Sequence, residues 1–486
     1  MNEEIRNLEP KALWNNFADL NAVPRPSKKE EQVIQFIKSY GEKLGLETSV
    51  DTTGNVIIRK PASAGMEDKQ TVCLQSHLDM VHQKNNDTVF DFNTQGIEMF
   101  VDGDWVKAKG TTLGADNGIG DATIMTILAS KDIQHPAIEA LFTIDEETGM
   151  TGASGLKGGL LKATIMLNLD TEDDHELTIG CAGGIDPTAT GNYEQEALPA
   201  NSIGYLLNVK GLAGGHSGME IHLGKGNANK LINRILFQAS EKFGIRVSSI
   251  DGGGLRNAIP RESKAEIVVS QESNEAFKKF VAEEASVIKA EYSVTDPNFE
   301  VVLSPTDVSG KILSKDFQDK LLRVIYACPN GIYRMSPDIK DLVQSSNNIA
   351  RVLVKDGQFS IQCLTRSSVE SEKMDVARSI QSAFELAGAI LSFGGSYNGW
   401  TPKPETPIVK LMSSLYKEMF KSEPLVDACH AGLECGIIGT NYPKMEMISF
   451  GPNILGAHSP DEKVQISSVQ KFYGFLLETL KRIPKK

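Results

Sequence analysis

The sequence predicts an α/β protein: a discontinuous domain with a mostly parallel central sheet flanked by helices, interrupted by an inserted α+β domain. Three observations carry this. Short apolar runs end abruptly in polar, largely acidic clusters around 71–79, 140–147 and 164–170, the pattern of strands buried on both faces. Helical patterns separate these runs, as in sheets built from strand–helix–strand units. From about 184 to 398 the character changes to strands whose alternate residues are polar, the mark of a sheet with one wet face.

Taken in order, Thr71-Val72-Cys73-Leu74-Gln75 runs into Ser76-His77-Leu78-Asp79. The glycine-rich Leu113-Gly114-Ala115-Asp116-Asn117-Gly118 precedes a helix expected over 120–130. Ala140-Leu141-Phe142-Thr143-Ile144 leads into Asp145-Glu146-Glu147, and the run from Thr164 to Leu169 stops at Asp170. Ligands of such sheets bind beyond the carboxyl ends of the strands, where these clusters sit. In the insert, strands are expected over 204–210 and 264–270 with a helix over 227–243 between them. A helix over 320–327, strands over 349–354 and 359–364, and a helix over 368–386 repeat that order, so the insert reads as two related α+β halves. The chain re-enters the first domain at Gly399-Trp400-Thr401-Pro402, with a helix over 407–420 and a strand over 445–450. The expected domains are 1–183 with 399–486, and 184–398.

The chain has 486 residues, of which 40% are hydrophobic, enough for a substantial core. Its net charge is −13, which disfavours partners that are nucleic acids or anionic membranes. No apolar run reaches the ~18 residues of a spanning helix. The start, Met1-Asn2-Glu3-Glu4-Ile5-Arg6, lacks the apolar region of a secretory signal. Six cysteines without a CxxC pair read as reduced thiols. The expectation is a soluble cytoplasmic enzyme.

The chemistry lies in His77, Asp79, Asp116, Glu146, Glu147, Asp170 and His458. Their wide spacing excludes a compact zinc finger and implies a site assembled from several strand ends. Clustered carboxylates repel one another, and a divalent metal removes that cost. Imidazole with carboxylate suits zinc, with manganese or cobalt as substitutes. Two histidines and three or more carboxylates exceed the needs of one tetrahedral ion, whereas two ions sharing a bridging carboxylate use the whole set. A single acidic residue at a strand end is ordinarily just solvated, and His-x-Asp alone is a weak pattern. Three such ends with a Gly-Ala-Asp-Asn-Gly loop are harder to assign to solvation.

Ser76-His77-Leu78-Asp79-Met80-Val81, Gly114-Ala115-Asp116-Asn117-Gly118, Thr143-Ile144-Asp145-Glu146-Glu147-Thr148-Gly149, Leu169-Asp170 and Gly456-Ala457-His458-Ser459-Pro460 resemble, in that order, the motifs of co-catalytic zinc dipeptidases. That family includes carnosinase, peptidase T, aminoacylase and succinyl-diaminopimelate desuccinylase. The resemblance runs nearly end to end and takes in Ile179-Gly180-Cys181-Ala182-Gly183-Gly184 and His430-Ala431-Gly432-Leu433-Glu434-Cys435-Gly436.

The resemblance implies two Zn2+ per chain, with His77 and Asp170 on one, Glu147 and His458 on the other, and Asp116 bridging. It also implies a cis peptide bond between Asp116 and Asn117. Asp79 would orient His77 by accepting its second ring proton, and Glu146 would be the general base. His216, within Gly214-Gly215-His216-Ser217-Gly218 of the insert, would stabilise an oxyanion. Its ordinary alternative is a histidine satisfied in a turn. Asn257 would contact substrate and Arg366 would hold the substrate carboxylate, unless Arg366 is a surface ion pair. Gly432 and Glu434 would line the pocket, although many relatives have Asp in place of Glu434. The implied substrates are unblocked dipeptides, with a preference for C-terminal histidine. An N-acyl amino-acid deacylase and a catalytically silent peptide-binding relative are the alternatives. The implied assembly is a homodimer formed through the insert. His82, His135, His175 and His222 match no ligand position, His430 has no ligand spacing, and Met80 and Met445 read as core filling.

Overall fold

Strand Val72–His77 is buried along its whole length, as its unbroken apolar-to-polar run requires. In the computed structural model, which describes residues 2–308 and 310–486, it lies inside an eight-stranded sheet. The order is Glu47–Val50, Val56–Lys60, Ile138–Thr143, Val72–His77, Ile165–Asn168, Glu446–Ser449, Glu176–Cys181, Leu425–Cys429. The four strands from Ile138–Thr143 to Glu446–Ser449 run parallel, and antiparallel strands flank them. The register sets His77 opposite Thr143 and Gln75 opposite Asn168. His77, Glu146, Glu147 and Asp170 therefore leave the sheet at the same carboxyl edge.

Contacts divide the chain into two compact units. The first comprises Met1–Gly180, Trp400–Ala428 and Leu433–Lys486. Its helix Ala115–Ala129 is buried on nearly every side, consistent with its run of small and aliphatic residues. This helix begins before the expected 120–130 but is interrupted at once. Asp116 and Asn117 have non-helical backbone angles, and the peptide bond between them is cis. Gly114 precedes them with φ 71°, and a Cβ there would lie 2.6 Å from Arg25 Nη2 and 2.8 Å from Met80 Sδ. Only glycine suits that position. A small four-stranded sheet, in the order Ile454–Leu455, Lys463–Gln465, Trp105–Ala108, Met99–Asp102, feeds two loops toward the same edge. One carries Asp116 and the other His458. Among the described residues no helix is long and apolar enough to cross a membrane.

The second unit comprises Cys181–Gly399 with Cys429–Gly432. The short second segment joins it because Ala182 N–H donates to Cys429 O at 3.1 Å and to Ala431 O at 2.9 Å. The two α+β halves expected from the sequence form one antiparallel sheet, joined where Arg246–Gly253 pairs with Val343–Lys355. The expected strand over 349–354 is the end of that longer strand. Alternate residues Tyr205, Leu207 and Val209 are buried in a core shared with Ile235 and Leu236 of helix Ala228–Phe243, and with Phe277 of helix Asn274–Glu291. Asn227 caps Ala228–Phe243, accepting from the N–H groups of Asn229 and Lys230.

Candidate metal centre

His77 closes its strand wholly buried, with its Nε2 3.1 Å from Asp116 Oδ1 and 3.3 Å from Asp170 Oδ1. His458 Nε2 lies 3.4 Å from Asp116 Oδ2 and 3.0 Å from Glu147 Oε2. The two oxygens of Asp116 thus face two different imidazoles, each accompanied by one further carboxylate. Ligand atoms bonded at 2.0–2.2 Å to a tetrahedral ion lie about 3.3–3.6 Å apart, and these separations are close to the lower end of that range. His77, Asp116 and Asp170 have one ligand atom each within 4.8 Å of the others, and so do Asp116, Glu147 and His458. Glu147 Oε1 is buried without a hydrogen-bond partner. A buried carboxylate oxygen left in that state is costly, and a cation would satisfy it. The donor set fits two divalent ions.

Electrostatics point the same way. Burial alone would raise the Asp116 pKa, but hydrogen bonds to His458 and His77 drive it well below the usual carboxylate range. The same contacts with Asp116 and Glu147 push His458 up to about 11. A bound cation would take over from the imidazoles in offsetting the charge of these carboxylates.

Asp145 adopts a left-handed conformation, φ 52°, and the chain then makes one helical turn over Glu146–Gly149. That sharp turn brings both glutamates to one site: His77, Glu146 and Glu147 also place ligand atoms within 4.8 Å of each other. Burial holds the Glu146 pKa well above the ordinary value, with the charges of Asp170 and Glu147 adding to it and His77 opposing. Asp79 approaches His77 Nδ1 through both its main-chain carbonyl and its carboxylate. Its main-chain carbonyl lies 3.1 Å from His77 Nδ1, while its carboxylate Oδ1 is at 3.4 Å. The carboxylate is engaged by the N–H groups of Glu146 and Glu147 and by Ser27 Oγ–H.

Three contributors escape a reading of residue types alone. Asn117 Nδ2 donates to Asp170 Oδ1 at 2.6 Å and fixes that ligand's rotation. Arg25, buried, donates to the carbonyls of Leu78, Asp79 and Gly114 and so ties the His77 and Asp116 loops together. Glu462 binds the backbone of the Asp116 loop. Only Asn117, inside the glycine-rich motif, carried a visible signal.

Glu434, expected to line the pocket, is instead fully buried. It accepts from Gln75 Nε2 at 2.6 Å and Thr143 Oγ1 at 2.7 Å, and burial pushes its pKa up to about 8. It sits among the buried side chains of the parallel strands because Gln75 and Thr143 point inward there.

The remaining predicted residues belong to the second unit. His216 pairs with Ala258 in a two-stranded ribbon, and Ser217 N–H donates to Asn257 O at 2.7 Å, which makes His216 and the exposed Asn257 neighbours. A Cβ on Gly218 would lie 3.1 Å from both Arg366 Nε and His216 Cε1. Arg366 is 4% exposed, so it is no surface ion pair. It donates to Tyr397 Oη at 3.0 Å, and its Nε has no hydrogen-bond partner. Gly432 is half-buried in the segment that joins this unit. His430 Nε2 lies 2.7 Å from Ser346 Oγ, and burial with the charge of Arg366 lowers its pKa to about 3.

The cytosol non-specific dipeptidase of Escherichia coli (strain K12) is 43% identical over 483 residues, 99% of this chain and 100% of that protein. The crystal structure of aminoacylhistidine dipeptidase from Vibrio alginolyticus matches with a TM-score of 0.94 at 42% identity, covering 100% of this chain and 99% of that one. Aminopeptidase PepT from Bacillus cereus ATCC 10987 shares the fold, with a TM-score of 0.57 at 14% identity over 98% of this chain and 99% of that one. Residues 73–482 match the sequence profile of Peptidase family M20/M25/M40. The family profile over residues 73–482 and the 43% identity over 483 residues to a dipeptidase agree with the candidate metal ligands gathered at the sheet's carboxyl edge: this chain belongs to peptidase family M20/M25/M40.

Proposed function

We propose that this chain is a metal-dependent dipeptidase acting on unblocked dipeptides, those with C-terminal histidine among them. The observation that carries the proposal is Asp116, whose two oxygens face His77 and His458 separately. Full-length similarity to a non-specific dipeptidase and to an aminoacylhistidine dipeptidase supports dipeptides as the substrate class. His77 and Asp170 would hold one ion, Glu147 and His458 the other, and Asp116 both. Zinc is the proposed metal, with manganese or cobalt able to replace it. Two such ions supply a nucleophilic water at neutral pH and neutralise charge developing on the scissile carbonyl.

Glu146 takes a proton from the attacking water and passes it to the leaving amine, a task suited to a carboxylate placed among the same ligand atoms. His216 Nδ1 accepts the N–H groups of Gly218 and Met219, at 3.2 and 3.0 Å, so the neutral ring carries its proton on Nε2. Burial and the charge of Arg366 lower its pKa and keep it neutral. A neutral N–H of this kind is a fit donor to an oxyanion. Arg366, with a buried and unpartnered Nε, retains capacity for the substrate's carboxylate. Asn257 and Gly432 are assigned to substrate contact. The inserted unit is assigned the roles of lid and of homodimer contact, and the cytoplasm is the proposed location.

The test is turnover of Ala-His, Ala-Ala, N-acetyl-Ala-His and Ala-His-amide by the metal-stripped protein, with and without added zinc, manganese or cobalt. Metal-dependent hydrolysis of the first two, and poor hydrolysis of the blocked pair, is the expected result. Preference for the acetylated substrate would make the chain a deacylase, and binding without turnover would make it a silent relative.

A further inference from the structure

Glu462 lies on the loop that carries His458, and its side chain is 2% exposed. Its Oε2 accepts the N–H groups of Leu113 at 2.7 Å and Gly114 at 2.9 Å, while Oε1 accepts those of Ala115 at 2.8 Å and Asp116 at 3.3 Å. Four consecutive amides therefore converge on one carboxylate. Each oxygen takes two donors, so the carboxyl group is held in a backbone cradle.

The loop that presents Glu462 is itself fixed. Leu455 pairs with Lys463 across its base. Ser459 N–H and Oγ–H both donate to Gly456 O, and Glu462 N–H donates to Ser459 O at 3.1 Å. His458 and Glu462 are therefore held at a set separation within one short turn. The segment they address follows strand Trp105–Ala108, which pairs with Lys463–Gln465 in the same small sheet.

We propose that Glu462 is a positioning residue for the metal centre: it locks the Asp116 loop to the His458 loop, so that the bridging carboxylate and the second imidazole face the same ion. The proposal rests on the dinuclear reading above. The plainer alternative is a carboxylate that only satisfies loop amides and contributes to overall stability. The two differ in what a folded molecule lacking the carboxylate does with metal. Loss of a group that orients a ligand typically weakens metal affinity by 10- to 100-fold.

The experiment is a cobalt(II) titration of the full-length, metal-stripped protein, followed by visible absorption, with far-ultraviolet circular dichroism reporting the fold. Glu462→Gln removes the charge and turns an amide donor toward the loop amides. Folded Glu462→Gln is expected to bind both cobalt ions roughly 10- to 100-fold more weakly and with an altered spectrum. Glu462→Asp keeps the charge one methylene short of the cradle and is expected to fall between. Wild-type affinity and spectrum in folded Glu462→Gln would overturn the proposal. If that variant does not fold, the same result in Glu462→Asp would do so. A wild-type protein that takes up fewer than two equivalents overturns the dinuclear reading instead.

Discussion

Asp79 Oδ1 accepts the backbone N–H of Glu146 at 2.9 Å, and Asp79 Oδ2 accepts that of the next residue, Glu147, at 3.2 Å. The residue two places beyond His77 therefore anchors the turn that presents both glutamates, while its main-chain carbonyl receives the His77 ring. Two strand ends of the parallel sheet, one bearing an imidazole and the other the paired glutamates, are coupled through a single buried side chain.

Asp79→Asn should be far more damaging than its equal size implies. Every contact of the carboxylate is with a donor, Ser27 Oγ–H included, and an amide offers only one acceptor oxygen. The expected outcome is metal affinity reduced about 10- to 100-fold together with a fall in kcat. Metal content after dialysis, measured beside kcat, checks this. Full occupancy with normal turnover would reduce Asp79 to a filler.

His216→Ala should leave metal content unchanged and lower kcat by roughly 100- to 1,000-fold with little change in KM, because an oxyanion forms only in the transition state. The hydrogen bonds to Nδ1 also predict that His216→Asn, which can still donate an N–H, recovers part of the rate. Near-normal turnover in His216→Ala would return the residue to a satisfied turn histidine.

The parts of the centre legible in the sequence are those encoded locally. A buried strand followed at once by an acid, as at Thr143 to Glu147, marks its own carboxyl end. Glu462 and Arg25 were illegible because their partners are main-chain atoms far away in the sequence, and a backbone amide has no residue identity to read. Glu434 was legible as a motif residue, but its depth was not, since that depends on Gln75 and Thr143 arriving from two other strands. The insert reads as two related α+β halves because alternation within a strand reveals which face is wet. It does not reveal that Ile250 pairs with Val354 to make one sheet.

Asp121, wholly buried in helix Ala115–Ala129, has its pKa pushed up to about 7 by burial, with the charge of Arg25 opposing. The folded protein therefore holds this proton more tightly than the unfolded chain, whose value is near 3.8. Its contribution to stability is greatest below that lower value and is lost as pH rises toward 7. Asp121→Asn removes the titration. In the metal-free protein the difference in Tm, variant minus wild type, should increase from pH 4 to 7 and level off above. A difference that is flat with pH would show that Asp121 is ionised throughout.

The adjacent glutamates separate the proposed proton carrier from the proposed metal ligand. Both leave one helical turn and both reach His77, so proximity does not distinguish them. Their partners do: Glu147 Oε2 meets His458 Nε2 at 3.0 Å beside the Asp116 oxygen, and although burial raises the pKa of both glutamates, contact with His458 opposes it only at Glu147. Glu146→Gln keeps the shape but accepts no proton. It should retain both ions and lose at least ~100-fold in kcat, the low end of general-base contributions. Glu147→Gln withdraws an anionic oxygen from the His458 side and should lose one ion on dialysis, with activity partly restored by excess zinc or manganese. Metal content per chain beside kcat decides the matter. If Glu146→Gln loses metal while Glu147→Gln keeps both ions, the two roles are exchanged.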